Sequence, residues 1–339
     1  MPVLGTGIMP TGQVAAELTS VTRRAYIEKL IVQIYQSSPL MAALIANANT
    51  ATGGFSSVTV PVQGASMVTA QWSGYDGSFA QPASQPGVQN AEFNMKLMTV
   101  PVQLLGMESI VQMDHSILPL IEARMNDTTN TAMDVMSTAI YGNTTNAQAF
   151  IGLPGAVDDG TNLVTYGNIN RNTYPFWKSK VYAPGGTPSP TRALVLQYVA
   201  GTFKNGSEVP TFGIVGPGTW TLLAQDFVSS ERYEINPGSS FDQGAAKEDG
   251  PRSAFRALMV AGMPVFMDQY CPEGTMYLLN SNYLSLYIHE QGSFNFTGFY
   301  SAVPNFQLGY VGVVVAIAEL VNTKPKTCTR VSGLGFLTL

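Results

Sequence analysis

Charged side chains are scarce in this chain. Lys and Arg number 17 and Asp and Glu 22 among 339 residues, 12% of the total, against about a quarter in an ordinary soluble protein. A free-standing domain carries roughly 25–35% charge on its surface. This chain falls short of that, so its surface is either rich in uncharged polar groups or covered by partners. Cysteine is nearly absent. Cys271 and Cys328 are too few for a disulfide scaffold and fit no metal spacing, so they are expected as buried thiols in a reducing compartment. A basic excess is lacking too, with net charge -5 and pI near 5.1, which argues against a nucleic-acid reader. No long apolar run occurs: the best candidate, 310–318 (YVGVVVAIA), is far below the ~20 residues a bilayer needs and reads as a buried strand. Residues 1–10 lack a charged n-region, so no secretory signal is expected.

Catalytic patterns are missing as well. There are two histidines, His115 and His289, each at the end of an expected element and read as surface or hydrogen-bonded. No H-E-x-x-H, C-x-x-C, P-loop or G-x-S-x-G pattern occurs. The residues indicate no enzyme, cofactor or metal.

What is present is length and apolar content. The 45% hydrophobic fraction excludes disorder, and a compact monomer of this size would leave only about 13,000 of roughly 53,000 Å² exposed. The distribution of charge is more informative. Between Lys29 and Glu92 the only charged side chain is Asp76, and between Glu290 and Glu319 there is none. Charge-free stretches with strand character aggregate when left bare. Their economical explanation is pairing with each other or with neighbouring copies.

Along the chain, residues 1–18 read as an extended arm and Ser20 to Gln36 as an amphipathic helix. Ser38-Pro39 signals a second, short helix, with Ser as cap and Pro in the first turn. Residues 55–70 and 92–105 read as the two arms of a hairpin of about 50 residues; both carry Val-Pro-Val-Gln, at 60–63 and 100–103. A long helix is expected over 116–141, with an apolar stripe of Ile117, Leu120, Ile121, Met125, Ala132, Val135, Met136 and Ala139. From Thr191 the pattern is helix (lined by Leu194, Val195, Tyr198, Val199 and Phe203), strand (212–215) and helix (218–230). A Gly- and Ser-rich loop follows at 236–254. Strands then follow at 255–260, 263–268, 275–280, 283–289, 307–320 and 327–336. Helices and strands fall in blocks, so the fold class is α+β.

Three segments invite a site. Gly216-Pro217-Gly218-Thr219 opens a helix and reads as a turn with a cap, or as an anion site. Asp158-Asp159-Gly160 reads as a solvated turn rather than a calcium loop. Trp72, Tyr75 and Phe79, on a charge-poor loop, are expected to bury against a partner subunit, aromatics being enriched in interface cores; a ligand platform is the alternative.

In order of parts, the chain resembles the major capsid proteins of tailed phages with the Hong Kong 97-like fold. Residues 139–143 (AIYGN) with Gly152-Leu153 look like the end of that family's spine helix and the loop after it. Residues 260–268 (VAGMPVFMD) and 272–280 (PEGTMYLLN) look like its strand–turn–strand segment, and 319–322 (ELVN) with 328–334 (CTRVSGL) like its closing strands. The resemblance implies an N-terminal arm (1–50), an extended E-loop hairpin (51–106), a peripheral domain (107–170 with 281–339) and an axial domain (171–280). It implies pentamers and hexamers closing into an icosahedral shell around double-stranded DNA, in a virion assembled in the bacterial cytoplasm. The implied partners are further copies, a portal protein, separate scaffolding and decoration proteins, and packaged DNA held by weak non-specific contact, with no membrane. No charged helical extension precedes the arm, so an internal scaffold is not expected. The same resemblance places Asp242, Lys247, Glu248, Asp249 and Arg252 near the capsomer axis. An encapsulin-type nanocompartment shell, a tail-tube protein and a glycan- or surface-binding β protein are the other readings.

Overall fold

The computed structural model describes residues 38–51, 56–64, 72, 74–77, 87–105, 117–142, 148–228, 257–302 and 309–338. The expected helix 20–36, Phe79 and the loop 236–254 lie outside them. In chain order the elements are α1 (Pro39–Ala46), β1 (Asn49–Ala51), β2 (Ser57–Gln63), β3 (Val88–Asn94), β4 (Lys96–Leu105), α2 (Ile117–Tyr141), α3 (Leu153–Ala156), β5 (Thr165–Tyr166), β6 (Ile169–Asn170), β7 (Lys180–Tyr182), α4 (Arg192–Gly206), β8 (Phe212–Val215) and α5 (Pro217–Val228). They continue as β9 (Ala257–Val260), β10 (Met263–Met267), β11 (Thr275–Leu279), β12 (Leu284–His289), β13 (Asn295–Ser301), β14 (Gly309–Asn322) and β15 (Thr329–Ser332).

Local chemistry sets several of these bounds. Ser38 caps α1, its Oγ accepting from the Met41 N–H at 3.4 Å, and Pro39 occupies the first turn. Thr191 caps α4 by accepting from the Leu194 N–H, and the helix ends at Ser207 in the left-handed region (φ 61°), whose N–H returns to the Phe203 carbonyl. The poor helix formers in α2 hold by back-bonding: Thr128 and Thr131 donate to carbonyls four residues earlier, at 2.7 and 2.8 Å, an option open to Thr inside helices.

Two sheets carry the fold. The first is a six-stranded mixed sheet in the order β7-β15-β11-β8-β10-β9. Its alternate residues go to opposite cores. Phe212, Ile214, Tyr277 and Leu279 join a cluster with α1 and the end of α2, while Val215, Met276, Leu278 and Val265 pack under α4 and α5. The second is built on the long strand β14, which pairs along one edge with β4 over ten residues. On the other edge β12 pairs at its inner end and β13 at its outer end, with β1 added parallel to β12. Helix α2 lies on this ribbon through Met125 and Ala132, which bury with Val100, Val102, Leu104, Phe296 and Val314. Gly312 is needed there, because a Cβ would stand 2.6 Å from the Phe296 ring.

Four expectations change. The two Val-Pro-Val-Gln segments do not face each other. The chain breaks pairing at Met95: residues 60–63 pair with 88–91, whereas 100–103 pair with 311–314. Val100, Val102 and Leu104 need a helix to cover them, and only the ribbon beneath α2 provides one. Second, Val135 is 45% exposed; the buried side of α2 runs through Met125, Ala132, Met133, Met136 and Ile140. Ala139 is half-buried, and the side chains of Ile117, Leu120 and Ile121 lie outside the described residues. Third, Phe203 of α4 is exposed and Thr202 buried in its place, its hydroxyl donating to the Tyr198 backbone carbonyl and lying 2.6 Å from the Thr329 hydroxyl. Fourth, β13 was not anticipated: its Asn, Thr, Gly and Ser content and its bulge between Phe296 and Phe299 break the alternation. The strand expected at 327–336 is present as β15 and belongs to the six-stranded sheet.

Candidate subunit-contact surface

The hairpin β2–β3 is tied down at its root. Val58 faces Phe93 and Val60 faces Ala91 across the ladder. Phe93 and Ala91 are buried with Tyr166, Ile169 and Trp177, and the Phe93 and Tyr166 rings meet edge to face at 5.0 Å. The Glu92 N–H donates to the Gly167 carbonyl at 3.0 Å. Gly167 has φ 56°, and a Cβ there would lie 2.7 Å from the Phe93 ring, so two constraints select glycine. Beyond this root, Trp72 and Tyr75 are fully exposed. The structure therefore separates these aromatics from their own chain's cores. Phe79, Asp242, Lys247, Glu248, Asp249 and Arg252 lie outside the described residues.

Two buried carboxylates join separate parts of the fold, one of them beside that root. Asp158 is fully buried, not in a solvated turn. Its Oδ2 accepts from the N–H groups of Gly160, Asn162 and Leu163 at 2.9–3.0 Å. Arg330 of β15 donates to its Oδ1 at 3.2 Å, and Arg171 lies 3.8 Å away. Arg171 also donates to the carbonyls of Ala156, Leu163 and Trp177. The two arginines more than offset the acid, Asp159 nearby supplies a second negative charge, and the backbone satisfies what remains, as a buried charge requires. Asp268, at the end of β10, receives hydrogen bonds from Ser38 Oγ, from the Tyr141 hydroxyl at 3.0 Å and from the Tyr270 N–H. It thus joins the start of α1, the end of α2 and the six-stranded sheet. Burial pushes the Tyr141 hydroxyl well above its ordinary range, with Cys271 and Asp268 adding to it.

The other sequence candidates resolve into structure. At the start of α5, Glu273 fills the place an anion would take: its carboxylate accepts from the N–H groups of Gly218 and Thr219 at 2.9 and 3.2 Å. His289 Nδ1 accepts from the Gln291 N–H, a local cap. Cys271 and Cys328 are buried free thiols. Among the described residues no cluster of His, Cys, Asp or Glu is arranged to hold a metal, and no helix is long and apolar enough to cross a membrane.

Two further features belong to this surface, the first with no signal in the sequence and the second foreshadowed only by the charge-free stretch between Glu290 and Glu319. One is an apolar cavity of about 180 Å³ between the start of β4 (Leu97, Met98), the flank of α2 (Val135, Ala139), Phe150 and Ala316. Four distant segments build it. The other is the face of the ribbon opposite α2. Val311, Val313, Val315 and Ile317 are half-buried there, beside exposed Leu97, Thr99, Pro101 and Gln103, their ladder partners.

No family model and no curated protein matches the chain. Solved structures do. The capsid of cyanophage A-1(L) superimposes with a TM-score of 0.68 at 15% identity, covering 88% of this chain and 93% of that one. The capsid of the native GTA particle gives 0.55 at 10%, covering 87% and 90%. The holo encapsulin complex from Synechococcus elongatus gives 0.53 at 10%, covering 87% and 89%. The chain has the Hong Kong 97-like fold of tailed-phage major capsid proteins, a fold that encapsulin shares.

Proposed function

We propose that the chain is the major capsid protein of a tailed phage, a structural and non-enzymatic subunit that forms pentamers and hexamers of an icosahedral shell around double-stranded DNA. The observation that carries this reading is the near-full-length likeness to the cyanophage capsid, which exceeds the likeness to encapsulin. The surfaces support it. A lone soluble protein gains nothing from exposed Trp72 and Tyr75 or from a row of open valines on β14, whereas a shell subunit needs apolar area to bury between copies. The acidic balance suits a shell that must not grip its genome, since each phosphate neutralised adds salt-dependent affinity.

In this reading residues 1–50 are the N-terminal arm and 51–106 the E-loop, which lies across a neighbouring copy. Residues 107–170 with 281–339 form the peripheral domain. Residues 171–280 form the axial domain, with Asp242, Lys247, Glu248, Asp249 and Arg252 close to the five- and six-fold axes. Partners are the portal, scaffolding and decoration proteins. The encapsulin-type shell is the second reading, favoured by the fold shared with the Synechococcus protein.

The test is to purify the particles that the chain forms in its native cell. Shells of pentamers and hexamers that protect double-stranded DNA from nuclease support the phage reading. Shells loaded with a protein cargo favour the encapsulin reading. A chain that stays monomeric in that setting overturns both.

A further inference from the structure

We propose that Trp72 of one copy seats in the apolar cavity between β4, α2 and residues 148–150 of a second copy. This contact rests on the shell-forming reading and adds to it a specific knob and a specific hole.

Trp72 is fully exposed, so within one chain its indole touches no core. Trp is among the side chains that most often anchor an interface when it finds a desolvated pocket. The cavity has the right size and chemistry. Its volume is about 180 Å³, and a cavity of about 150 Å³ lined by aliphatic and aromatic groups takes a benzene ring. Met98, Met136 and Phe150 line it; methionine adapts its shape and packs well on aromatic rings.

Charge adds orientation. Lys96 is the one charged residue of the lining. Asp76, four residues from Trp72, is the one charged residue between Lys29 and Glu92. The acid beside the knob therefore approaches the base beside the hole, a base that also draws on the buried Glu319 carboxyl, and the lining itself carries no carboxylate. Topology adds a consequence. Knob and hole lie on different parts of the chain, and under the shell-forming reading the contact is heterologous: each copy gives a knob to the next and receives one from the previous. Such contacts run on from copy to copy, closing into a ring where the rotation allows, whereas a reciprocal exchange would stop at a dimer.

The direct test uses Gly74→Cys, two residues from an intact Trp72, combined with Val135→Cys, Val135 standing at the cavity with 45% exposure. The native Cys271 and Cys328 are both buried. Oxidised assemblies of the double variant should run as a ladder beyond the dimer on denaturing gels, and either single variant should give no ladder. Assembled double variant that stays unlinked overturns the contact. Fluorescence gives an independent measure. The wild-type emission should shift to the blue on assembly and the Trp72→Phe shift should vanish, because Trp177 is already buried and Trp220 half-buried.

Filling the hole with Ala139→Phe should cut assembly at least tenfold without moving the monomer's melting temperature. If that variant does not fold, Ala149→Phe, on the loop side of the cavity, carries the same measurement. Wild-type levels of assembly from the filled variant and from Trp72→Ala overturn the docking while leaving the shell reading intact. A small apolar molecule found in the cavity of assembled particles overturns it too. A wild-type chain that never assembles overturns the shell reading and this contact with it.

Discussion

The two sheets are made of the same material and finished differently. In the six-stranded sheet, β8 is buried at every position, and β10 and β11 at four of five. Helices α4 and α5 cover one face, and α1 with the end of α2 covers the other. In the β14 ribbon, the outer half of the central strand alternates buried and half-buried, and only its inner end, 318–322, is closed on both sides. Both regions are apolar and poor in charge, so composition does not separate them. Coverage does. Among the described residues the first sheet completes its own core, and the second keeps one face half-buried. A continuous apolar run buries on both faces, while strict alternation marks a strand with one face open. On β14 that open face carries valines where a monomer would place polar groups.

The largest expected effect lies where the ribbon enters the core. Glu319 is buried on β14, with one carboxylate oxygen lacking a partner. Burial lifts its carboxyl from 4.5 to about 8, against the opposing pull of the Ile151 N–H and Lys96; the Tyr166 hydroxyl faces the same group. The folded state therefore holds a proton that the unfolded chain releases. The stabilisation is complete below pH 4.5 and is lost as pH rises through about 8, worth at most about 4–5 kcal/mol. Glu319→Gln should flatten the pH dependence of denaturant midpoints across this window and raise stability at its upper end. An unchanged slope in the variant would mean that the inner end of the ribbon is not closed as described.

Next is the buried acid that ties the 148–177 segment to the six-stranded sheet. Asp158→Ala leaves Arg171 and Arg330 without their counter-charge and should cost about 3–5 kcal/mol. A melting temperature within a degree or two of wild type would show that this joint does not hold the hairpin root to the sheet.

The comparison itself is tested by Val313→Asp on the open face. In the monomer this charge reaches water, so the cost is expected near 1 kcal/mol. In assembly it stands inside a contact and should abolish shells seen by electron microscopy. Normal shells would mean that this face stays bare in the particle. The smallest effect is its mirror image. Ser207 ends α4 with φ 61°, a position glycine occupies without strain, so Ser207→Gly should gain about 0.5–1 kcal/mol in thermal unfolding. It should leave assembly unchanged, because it acts only on the self-contained sheet's cover.

Much of this architecture was legible in the sequence, because its signals are local. Ser38-Pro39 and Thr191 announce helix starts through hydrogen bonds within three residues. The length of α2 follows from a period near 3.6 that resumes after the polar stretch 126–131, and strands such as those expected at 212–215 and 263–268 from apolar runs between turns. The order of these parts was enough to carry the resemblance to the capsid fold. The candidate surface was only half legible. The scarcity of charge around Trp72 and Tyr75 pointed to them, whereas the cavity, assembled from four segments, left no trace in any one of them.

The sequence by itself determined most of the segments that are helix and strand, β13 excepted, and which face of the alternating ones is apolar, since propensity, capping and periodicity act over a few residues. Tertiary structure alone decided partners. An alternating strand states that one face is buried but not against what, so Val100–Gln103 could be assigned to the hairpin as readily as to β14; the cover offered by α2 chose β14. The same holds for Asp158, whose charge reads as solvated until Arg330, 172 residues away, arrives to neutralise it. It holds for Val135, which the helical period places in the stripe but which is 45% exposed where α2 lies on the ribbon. Burial depends on distances between residues far apart in the chain, and those are fixed only when the layers close on one another.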